Sequence, residues 1–253
     1  MITAAEILDE LMAEGSEAQA RQLLRFFKCG PGEYGEGDRF LGLKNPQTRA
    51  IVRLAGRDVP LDEIEKLLYS EWHEARLCGF LLLVEQMKAA LPRKKDVPTR
   101  GAERREELAA FYLKHARQAN NWDLVDLSCP KILGEWLAHP RVDGELPSTE
   151  ILDRLAASTN LWEQRIAMVT TWRLIRDGRF DETLRLARTF LSHPHDLIHK
   201  ATGWMLREVG KQDEDVLRVF LDENYARMPR TALRYAIERM SEPERKYWLT
   251  KKS

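Results

Sequence analysis

The chain has 253 residues, of which 43% are hydrophobic and 32% are charged, so it has enough apolar side chains for a sizeable core and too many for an intrinsically disordered chain. Forty basic and forty acidic residues give a formal net charge of zero, which excludes a general electrostatic attraction to nucleic acid or to anionic membranes. The cysteines Cys29, Cys78 and Cys129 form no CxxC pair, and no apolar run approaches the ~18 residues of a membrane span. We expect a cytoplasmic protein without a disulfide framework, a cysteine zinc site or a membrane partner.

Leucine is abundant, with 35 residues against 20 valines and isoleucines together, which favours helices over strands. Apolar residues recur at three- and four-residue steps in Glu71–Lys88, then from Ile151 to Leu155 and from Trp162 to Trp172, which indicates amphipathic helices. About a dozen helices and no strands are predicted. The predicted helix starts include the N-cap residues Asp62, Ser148, Asp181 and Ser241, and Pro229 in a first turn.

The predicted helices form a loose repeat. Longer helices are predicted to begin near Trp72, Trp122, Trp162, Leu197 and Pro229, each after a shorter helix. These starts are roughly 32 to 50 residues apart, which overlaps the ~40–47 residues of HEAT and armadillo repeats. We predict one all-α domain over residues 1–253, a HEAT-like helical-repeat solenoid (an α–α superhelix) with a concave basic groove suited to an elongated polymer. An ordinary helical bundle is the alternative.

The segment Asn120–Asp126 offers the first candidate site. In a purely structural interpretation, Asn120 or Asn121 caps a helix, and the following carboxylates interact with the positive end of its dipole. In a functional interpretation, Trp122 and Asp126 share one helix face because they are four residues apart. A carboxylate beside an aromatic wall can stabilise a developing cation and position a water, as in glycoside cleavage. Asp123 points elsewhere, and we assign it to a cap.

The segment Leu161–Arg165 has two interpretations. In the structural interpretation, Trp162 is buried and Arg165 is solvated or paired with an acid. In the functional interpretation, Arg165 faces a groove and holds a phosphate through its bidentate guanidinium.

The segment His199–Lys211 predicts a basic helix face around an indole, formed by Lys200, Trp204, Arg207 and Lys211. Cations interleaved with an aromatic ring suit a nucleic-acid backbone with its sugars and bases. The alternative is an amphipathic helix whose cations extend from its edges to solvent. Gly203 would let another backbone approach closely. Arg230 and Arg234 continue the positive character.

Three further patterns are rejected as sites. The run Gly30–Gly35 matches GxGxxG, but no predicted strand precedes it, and the acidic residues up to Asp38 would repel a pyrophosphate. His195 and His199 have the spacing of metal ligands without a third ligand. Cys129 has no nearby histidine to activate it. We therefore predict no metal and no cofactor.

Taken in order, Trp-Asp-x-x-Asp, Trp-x-x-Arg and Lys-x-x-Gly-Trp-x-Leu-Arg-Glu, with Phe-Leu-Gly upstream, resemble the DNA alkylation repair glycosylases of the AlkD-like, HEAT-repeat type. The resemblance extends from about Arg25 to Lys211. It implies a solenoid that binds duplex DNA and hydrolyses the N-glycosidic bond of cationic N3- and N7-alkylated purines, without extruding the base into a deep pocket. It also implies that Asp126 is the catalytic carboxylate, with Trp122 and Trp204 as aromatic walls.

The resemblance implies that Arg165 contacts the DNA backbone, and Arg173 stands where some members have another basic residue. The full set of predicted DNA-binding residues is Arg165, Arg173, Lys200, Arg207, Lys211, Arg230 and Arg234. Two features depart from the family pattern: Phe26 stands where well-known members have a tyrosine, and the acidic, glycine-rich segment Gly30–Asp38 is absent from those members.

The leading hypothesis is thus a monomeric, monofunctional DNA glycosylase without a metal, in the cytoplasm and at the nucleoid when bound to DNA. Its partner is duplex DNA containing alkylated bases. The alternative is a non-catalytic helical-repeat scaffold that binds DNA or a partner protein, in which Asp126→Asn is silent and Lys200→Ala with Arg207→Ala abolishes binding. A third hypothesis is a protein-binding solenoid without affinity for DNA.

Overall fold

The structure is a computed structural model that describes residues 2–251. It is 68% helical, and its described residues form 14 α-helices and no strand, which confirms the all-α prediction. The helices are α1 Ala4–Ala13, α2 Glu17–Phe26, α3 Asn45–Ala55, α4 Leu61–Leu68, α5 His73–Ala90, α6 Ala102–Lys114, α7 Trp122–Ala138, α8 Glu150–Ala156, α9 Leu161–Ile175, α10 Asp181–Phe190, α11 Asp196–Gln212, α12 Glu214–Asn224, α13 Arg230–Ala236 and α14 Glu242–Thr250.

The helical repeat is present as predicted. The helices α5, α7, α9, α11 and α13 each begin within one residue of the predicted start. The shorter helices α4, α6, α8 and α10 each pack against the longer helix that follows. The last pair differs from the prediction, because α13 has 7 residues and α12 has 11. Pro229 is the N-cap of α13 and lies just outside its first turn.

The predicted N-caps are partly correct. Ser241 caps α14 and accepts a hydrogen bond from the Glu244 amide. Asp62 and Asp181 are wrong as caps, since each lies inside the first turn of its helix. A carboxylate there still meets the positive end of the helix dipole, so the local sequence preference is similar at both positions. Ser148 lies one residue before the N-cap, Thr149.

The described chain divides into two compact units between Glu145 and Leu146. In the first unit, α5 packs against α1, α3, α4, α6 and α7, and its side chains are buried around nearly the whole helix. In the second unit, α11 is the corresponding centre and packs against α9, α10, α12 and α13. The single domain and the concave basic groove both stay predictions. No helix among the described residues is long and apolar enough to cross a membrane.

A short segment before α3, residues 41–43, is held against α2 and α5. The buried Glu74 carboxylate of α5 accepts three backbone hydrogen bonds, from Leu41 at 2.9 Å, Gly42 at 2.8 Å and Leu43 at 3.0 Å. Gly42 has a φ of 92°, and a Cβ there would lie 2.0 Å from the Ser16 carbonyl oxygen. Only glycine fits this position, so the segment is fixed against both α2 and α5.

Candidate active site and nucleic-acid interface

The first turns of α7 carry the predicted catalytic carboxylate and one of its aromatic walls. Asn121 is the N-cap, and its side-chain oxygen accepts a hydrogen bond from the Trp122 amide at 2.8 Å. Trp122 and Asp126 project from the same face of the helix, and both are half-buried. Burial of the Tyr112 hydroxyl and, to a smaller extent, the charge of Asp126 raise the pKa of Tyr112 well above its ordinary value. Asp126 therefore lies near that hydroxyl.

Trp122 packs on a row of aromatic rings. The Phe27 ring centroid lies 5.2 Å from that of Trp122 and 5.2 Å from that of Phe40, with the two phenylalanine rings nearly parallel. Phe26 meets the edge of the Trp122 ring at 5.8 Å, and 62% of Phe26 is exposed. The row supports the indole from one side, and Phe26 adds an exposed aromatic ring next to it.

A buried network of charged side chains lies next to this row of aromatic rings. His73, the first residue of α5, contacts Asp38 through Nδ1 at 2.7 Å and Asp123 through Nε2 at 3.0 Å. The second oxygen of Asp38 pairs with the Arg76 guanidinium. Asn121 also donates to Asp38, at 3.3 Å. The network therefore connects the segment before α3, the start of α5 and the start of α7.

The network keeps its members charged. Burial lowers the pKa of His73, but the charges and hydrogen bonds of Asp123 and Asp38 outweigh it and raise the pKa to about 9. Burial raises the pKa of Asp38, but His73 and Arg76 outweigh it and hold the pKa below its ordinary value. The assignment of Asp123 to a cap alone is wrong, because one of its oxygens accepts from the Leu124 amide at 2.9 Å while the other contacts His73.

A cavity of about 290 Å³ opens beside Trp122 within the first unit. Its walls include the aromatic row and one end of the charged network, namely Phe26, Phe27, Phe40, Trp122, His73 and Asp123. A small molecule in this cavity would lie next to the imidazole of His73.

In the second unit, α11 carries the predicted basic face, with acidic residues among the cations. Lys200 pairs with Asp196 at 2.8 Å, and Lys211 pairs with Glu208 at 2.7 Å. The Trp204 indole nitrogen donates to Glu208 at 3.2 Å. Arg207 pairs with Glu238, which follows α13. The face is therefore mixed in charge, and a bound phosphate would have to compete with these carboxylates.

The two arginines of α9 have partners within the second unit. Arg165 is 5% exposed, and its guanidinium donates to the Leu197 carbonyl oxygen at 2.6 Å. This contact ties α9 to the first turn of α11. Arg173 is half-buried and pairs with Asp177 at 2.7 Å. Trp162 is buried, as the structural interpretation of its motif predicted. A DNA contact by either arginine stays a prediction.

Gly203 allows the close backbone approach that the sequence predicted. A Cβ at this position would lie 2.4 Å from the Ala232 carbonyl oxygen and 2.5 Å from the Tyr235 Cβ, so α13 touches the backbone of α11 here. Two of the predicted DNA-binding residues lie on α13 and are exposed: Arg230, which donates to the Leu249 carbonyl oxygen at 3.1 Å, and Arg234.

Sequence analysis missed a group of cations in the first unit. Lys131 of α7 is half-buried, and burial followed by the charge of Arg49 on α3 lowers its pKa. Lys88 of α5 acts in the same direction, and Glu85 opposes it. Like charges from three helices repel one another, which favours a functional reason for placing them together.

Sequence analysis also missed the charged network, although one signal was available. The segment Leu77–Val84 is almost wholly apolar, so α5 had to be buried on every face. Burial of charged residues in the first turns of such a helix could have been expected, and a buried charge needs a partner. His73 and Arg76 could have been identified in this way. Their partners Asp38 and Asp123 could not, since they lie 35 and 50 positions away from His73.

Fold and site together describe an all-α helical-repeat protein with a half-buried carboxylate, Asp126, one helical turn from Trp122. A family model described as "DNA alkylation repair enzyme" matches residues 7–240, nearly the whole chain. The chain therefore belongs to the DNA alkylation repair enzyme family, as its motifs predicted, and this membership suggests an enzyme of DNA repair.

The fold also has a solved relative. The chain is similar to a predicted DNA alkylation repair enzyme from Enterococcus faecalis, with 18% identity and a TM-score of 0.65. The match covers 90% of this chain and 98% of the other. At this identity the likeness supports the fold alone. The search of curated proteins found no match.

Proposed function

We propose that this protein is a DNA glycosylase that hydrolyses the N-glycosidic bond of cationic N3- and N7-alkylated purines in duplex DNA. It acts as a cytoplasmic monomer that joins the nucleoid on binding DNA, and it does not cleave the strand. One observation carries the proposal: in a chain of the DNA alkylation repair family, the Asp126 carboxylate is half-buried on the same helix face as Trp122. A carboxylate in that position can approach a deoxyribose, which a carboxylate sealed in the core could not.

The chemistry follows from the charge of the lesion. The alkylated purine is a cation, so it leaves as a neutral base when the bond between its nitrogen and C1′ breaks and takes the electron pair of that bond. Positive charge then moves onto the deoxyribose. Asp126 stabilises this oxocarbenium-like sugar and orients a water. The water oxygen bonds to C1′, its proton passes through the carboxylate to solvent, and an abasic sugar remains.

Aromatic side chains supply the remaining surface around the sugar. Trp122 and Trp204 present π faces that tolerate the cationic sugar and lesion. Trp122 is supported from behind by Phe27, so its face keeps a defined orientation. Because a neutral lesion would need a proton donor for its leaving group, and these residues offer none, the substrates are cationic bases.

Cations hold the flanking phosphates. The proposed contacts of the second unit are Arg165, Arg173, Lys200, Arg207, Lys211, Arg230 and Arg234. To these we add the cations of the first unit, Arg49, Lys88 and Lys131, of which Lys88 is exposed and the other two are half-buried. On α11, phosphates replace the carboxylates that pair with the cations in the free protein. This exchange limits affinity for undamaged DNA and favours release.

The test is base release from methylated duplex DNA under single-turnover conditions. Asp126→Asn should slow release by about 10²–10³-fold, because a preorganised charge at the sugar is lost. Binding of undamaged duplex should change little. Glu135→Gln is the matched control: it also neutralises a half-buried carboxylate of α7, further along the helix, and should leave the rate unchanged.

The alternative hypothesis, a non-catalytic scaffold, gives a different result in the same assay. Wild-type protein would then release no more base than buffer alone, and Asp126→Asn would be silent. DNA binding that disappears in Lys200→Ala with Arg207→Ala, without any base release, would favour the scaffold over the glycosylase.

A further inference from the structure

We infer that His73, held as an imidazolium between Asp38 and Asp123, is a positioning residue that orients the first turn of α7 and therefore Trp122 and Asp126. The inference rests on the proposed function, because its main readout is the rate of base release. It assigns a role to a buried group that does not itself reach the substrate, being only 2% exposed.

The geometry defines the charge of the imidazole. Both ring nitrogens face carboxylate oxygens, Nδ1 at 2.7 Å from Asp38 and Nε2 at 3.0 Å from Asp123. An ionised carboxylate only accepts hydrogen bonds, so both nitrogens must carry a proton. The pKa of His73, raised to about 9 by the two carboxylates against the effect of burial, agrees with this. A neutral imidazole could serve only one of the two partners as a donor.

Other charged and aromatic groups surround the imidazole, so that its charge is balanced. From α5, the Arg76 guanidinium pairs with the far oxygen of Asp38, while Glu74 turns to the backbone amides of residues 41–43. From the preceding segments, Phe40 stacks on the imidazole at 4.5 Å and Phe27 lies at 5.0 Å. Two cations therefore face two anions between aromatic rings.

Two links lead from Asp38 to the start of α7. One runs through His73 to Asp123, the second residue of the helix. The other is direct, since Asn121, the N-cap, donates to Asp38 at 3.3 Å. Trp122 lies between these two anchored residues. The backbone of Trp122 can therefore shift only if one of the two links is broken.

Stability alone is a poor explanation of this arrangement. Buried ion networks add little net stability compared with apolar side chains of the same volume, but they do select one geometry. A displacement of about 1 Å at a catalytic group can lower a rate by about 10²-fold. The network fixes the geometry of the first turn of α7. Trp122 lies in this turn, and Asp126 lies one turn later.

The network also gives a role to the segment Gly30–Asp38, which departs from the family pattern. The segment Gly30–Asp38 ends on the carboxylate that supports His73 and Asn121. Its Gly35 lies against the chain: a Cβ there would be 2.5 Å from the Phe27 carbonyl oxygen. The segment thus supplies Asp38, from which both links to the start of α7 lead.

Chemical rescue tests the inference. His73→Ala should slow single-turnover base release at least 10-fold while the affinity for undamaged duplex stays within twofold of wild type. Imidazole can reach the vacated site through the 290 Å³ cavity, which His73 lines, and should restore the rate. 1-Methylimidazole should not, because it has only one N–H donor even when protonated and cannot bridge two carboxylates.

The pH profile separates positioning from a merely structural role. The rescued rate should fall as free imidazolium loses its proton near neutral pH, whereas the wild-type rate should hold until about pH 9. If His73→Ala does not fold, Asp123→Asn replaces it: the rate should fall, and the pH at which activity is lost should move below 9. Arg105→Lys, a buried change on α6, should lower the melting temperature without changing the rate.

The outcomes are distinct. If wild-type protein releases base and His73→Ala does so equally well, the inference is wrong and the proposed function stands. Rescue by 1-methylimidazole as efficient as by imidazole would also refute it. If wild-type protein releases no base, the proposed function and this inference are both refuted.

Discussion

Two carboxylates on the first turns of α7, Asp123 and Asp126, lie in different surroundings. Asp123 is 4% exposed and contacts His73, whereas Asp126 is half-buried. A buried carboxylate with a cationic partner is suited to hold structure, and a partly exposed one is suited to meet a cationic sugar. The same residue type three positions apart therefore has two proposed roles.

The charge of His73 predicts how stability depends on pH. Because its pKa is raised from 6.5 to about 9 in the folded chain, its contribution is complete below pH 6.5 and is lost as the pH rises through 9. At about 1.4 kcal/mol per pKa unit, the loss is about 3 kcal/mol. Asp38, whose pKa is lowered, keeps its contribution throughout this window and loses it only in acid.

Urea denaturation at pH 6.5, 7.5 and 9 measures this effect. The free energy of unfolding of wild type should decrease over the series, and His73→Gln should be less stable at pH 6.5 with a much flatter profile. The pKa values of His115, His193 and His195 are lowered by burial, so these groups change the slope in the opposite direction and equally in both proteins; the difference between the two profiles therefore reports His73. An equal slope in both proteins would contradict the prediction.

At the scale of elements, the central helix of each unit is defined by close contacts. In the second unit, α11 and α13 meet at Gly203, where the α13 backbone occupies the space of a side chain. This contact places Trp204, the next residue, and brings Glu238 to Arg207. The position of the indole and the charge of the face around it thus depend on the absence of a side chain at Gly203.

Gly203→Ala should therefore destabilise the second unit. Although alanine favours helix by up to about 1 kcal/mol, its Cβ would collide with the Ala232 carbonyl oxygen, and overpacking of this kind costs about 1–3 kcal/mol. Gly210→Ala on the same helix is the control, because its Cβ would clash with a side-chain atom, Cδ2 of Leu217 at 2.4 Å, and with no backbone atom. Thermal unfolding measures both; a Gly203→Ala protein as stable as Gly210→Ala would refute the close contact.

At the scale of the whole molecule, a net charge of zero leaves DNA binding to local groups of cations. The proposed groups lie in both units, around Lys131 in the first and on α11 and α13 in the second. Those of α11 have carboxylate partners, whereas Lys131 lies near Arg49, Lys88 and the carboxylate of Glu85, which pairs with Lys88 at 3.7 Å. We expect the group around Lys131, in which cations outnumber this carboxylate, to contribute more to affinity per cation.

Salt dependence tests this distribution. Lys131→Ala should weaken binding of any duplex sequence and reduce the slope of log K against log salt by about one, as expected when one phosphate contact is lost. Lys66→Ala is the control, since Lys66 is exposed on α4 and pairs with Glu63. An unchanged slope in Lys131→Ala would show that the group does not contact phosphate.

Local patterns were sufficient for the helices and part of the site. Helix periodicity and punctuation located the starts of α5, α7, α9, α11 and α13, since these depend on residues within a few positions of each other. The shared face of Trp122 and Asp126 follows from their spacing alone. Gly203 was also correctly interpreted, because a glycine inside a strong helical pattern needs a packing reason.

Tertiary structure decided which charges are buried and which are balanced. Asp38, His73 and Asp123 come from three separate segments, and Arg207 finds Glu238 across 31 positions. A charged residue has the same helical preference whether it faces water or a partner, so helical periodicity does not predict which residue is its partner. The sequence by itself determined the helices, the repeat and the family motifs. Only the folded chain, through contacts between distant segments, determined that a buried imidazolium supports α7 and that the basic face of α11 is mixed in charge.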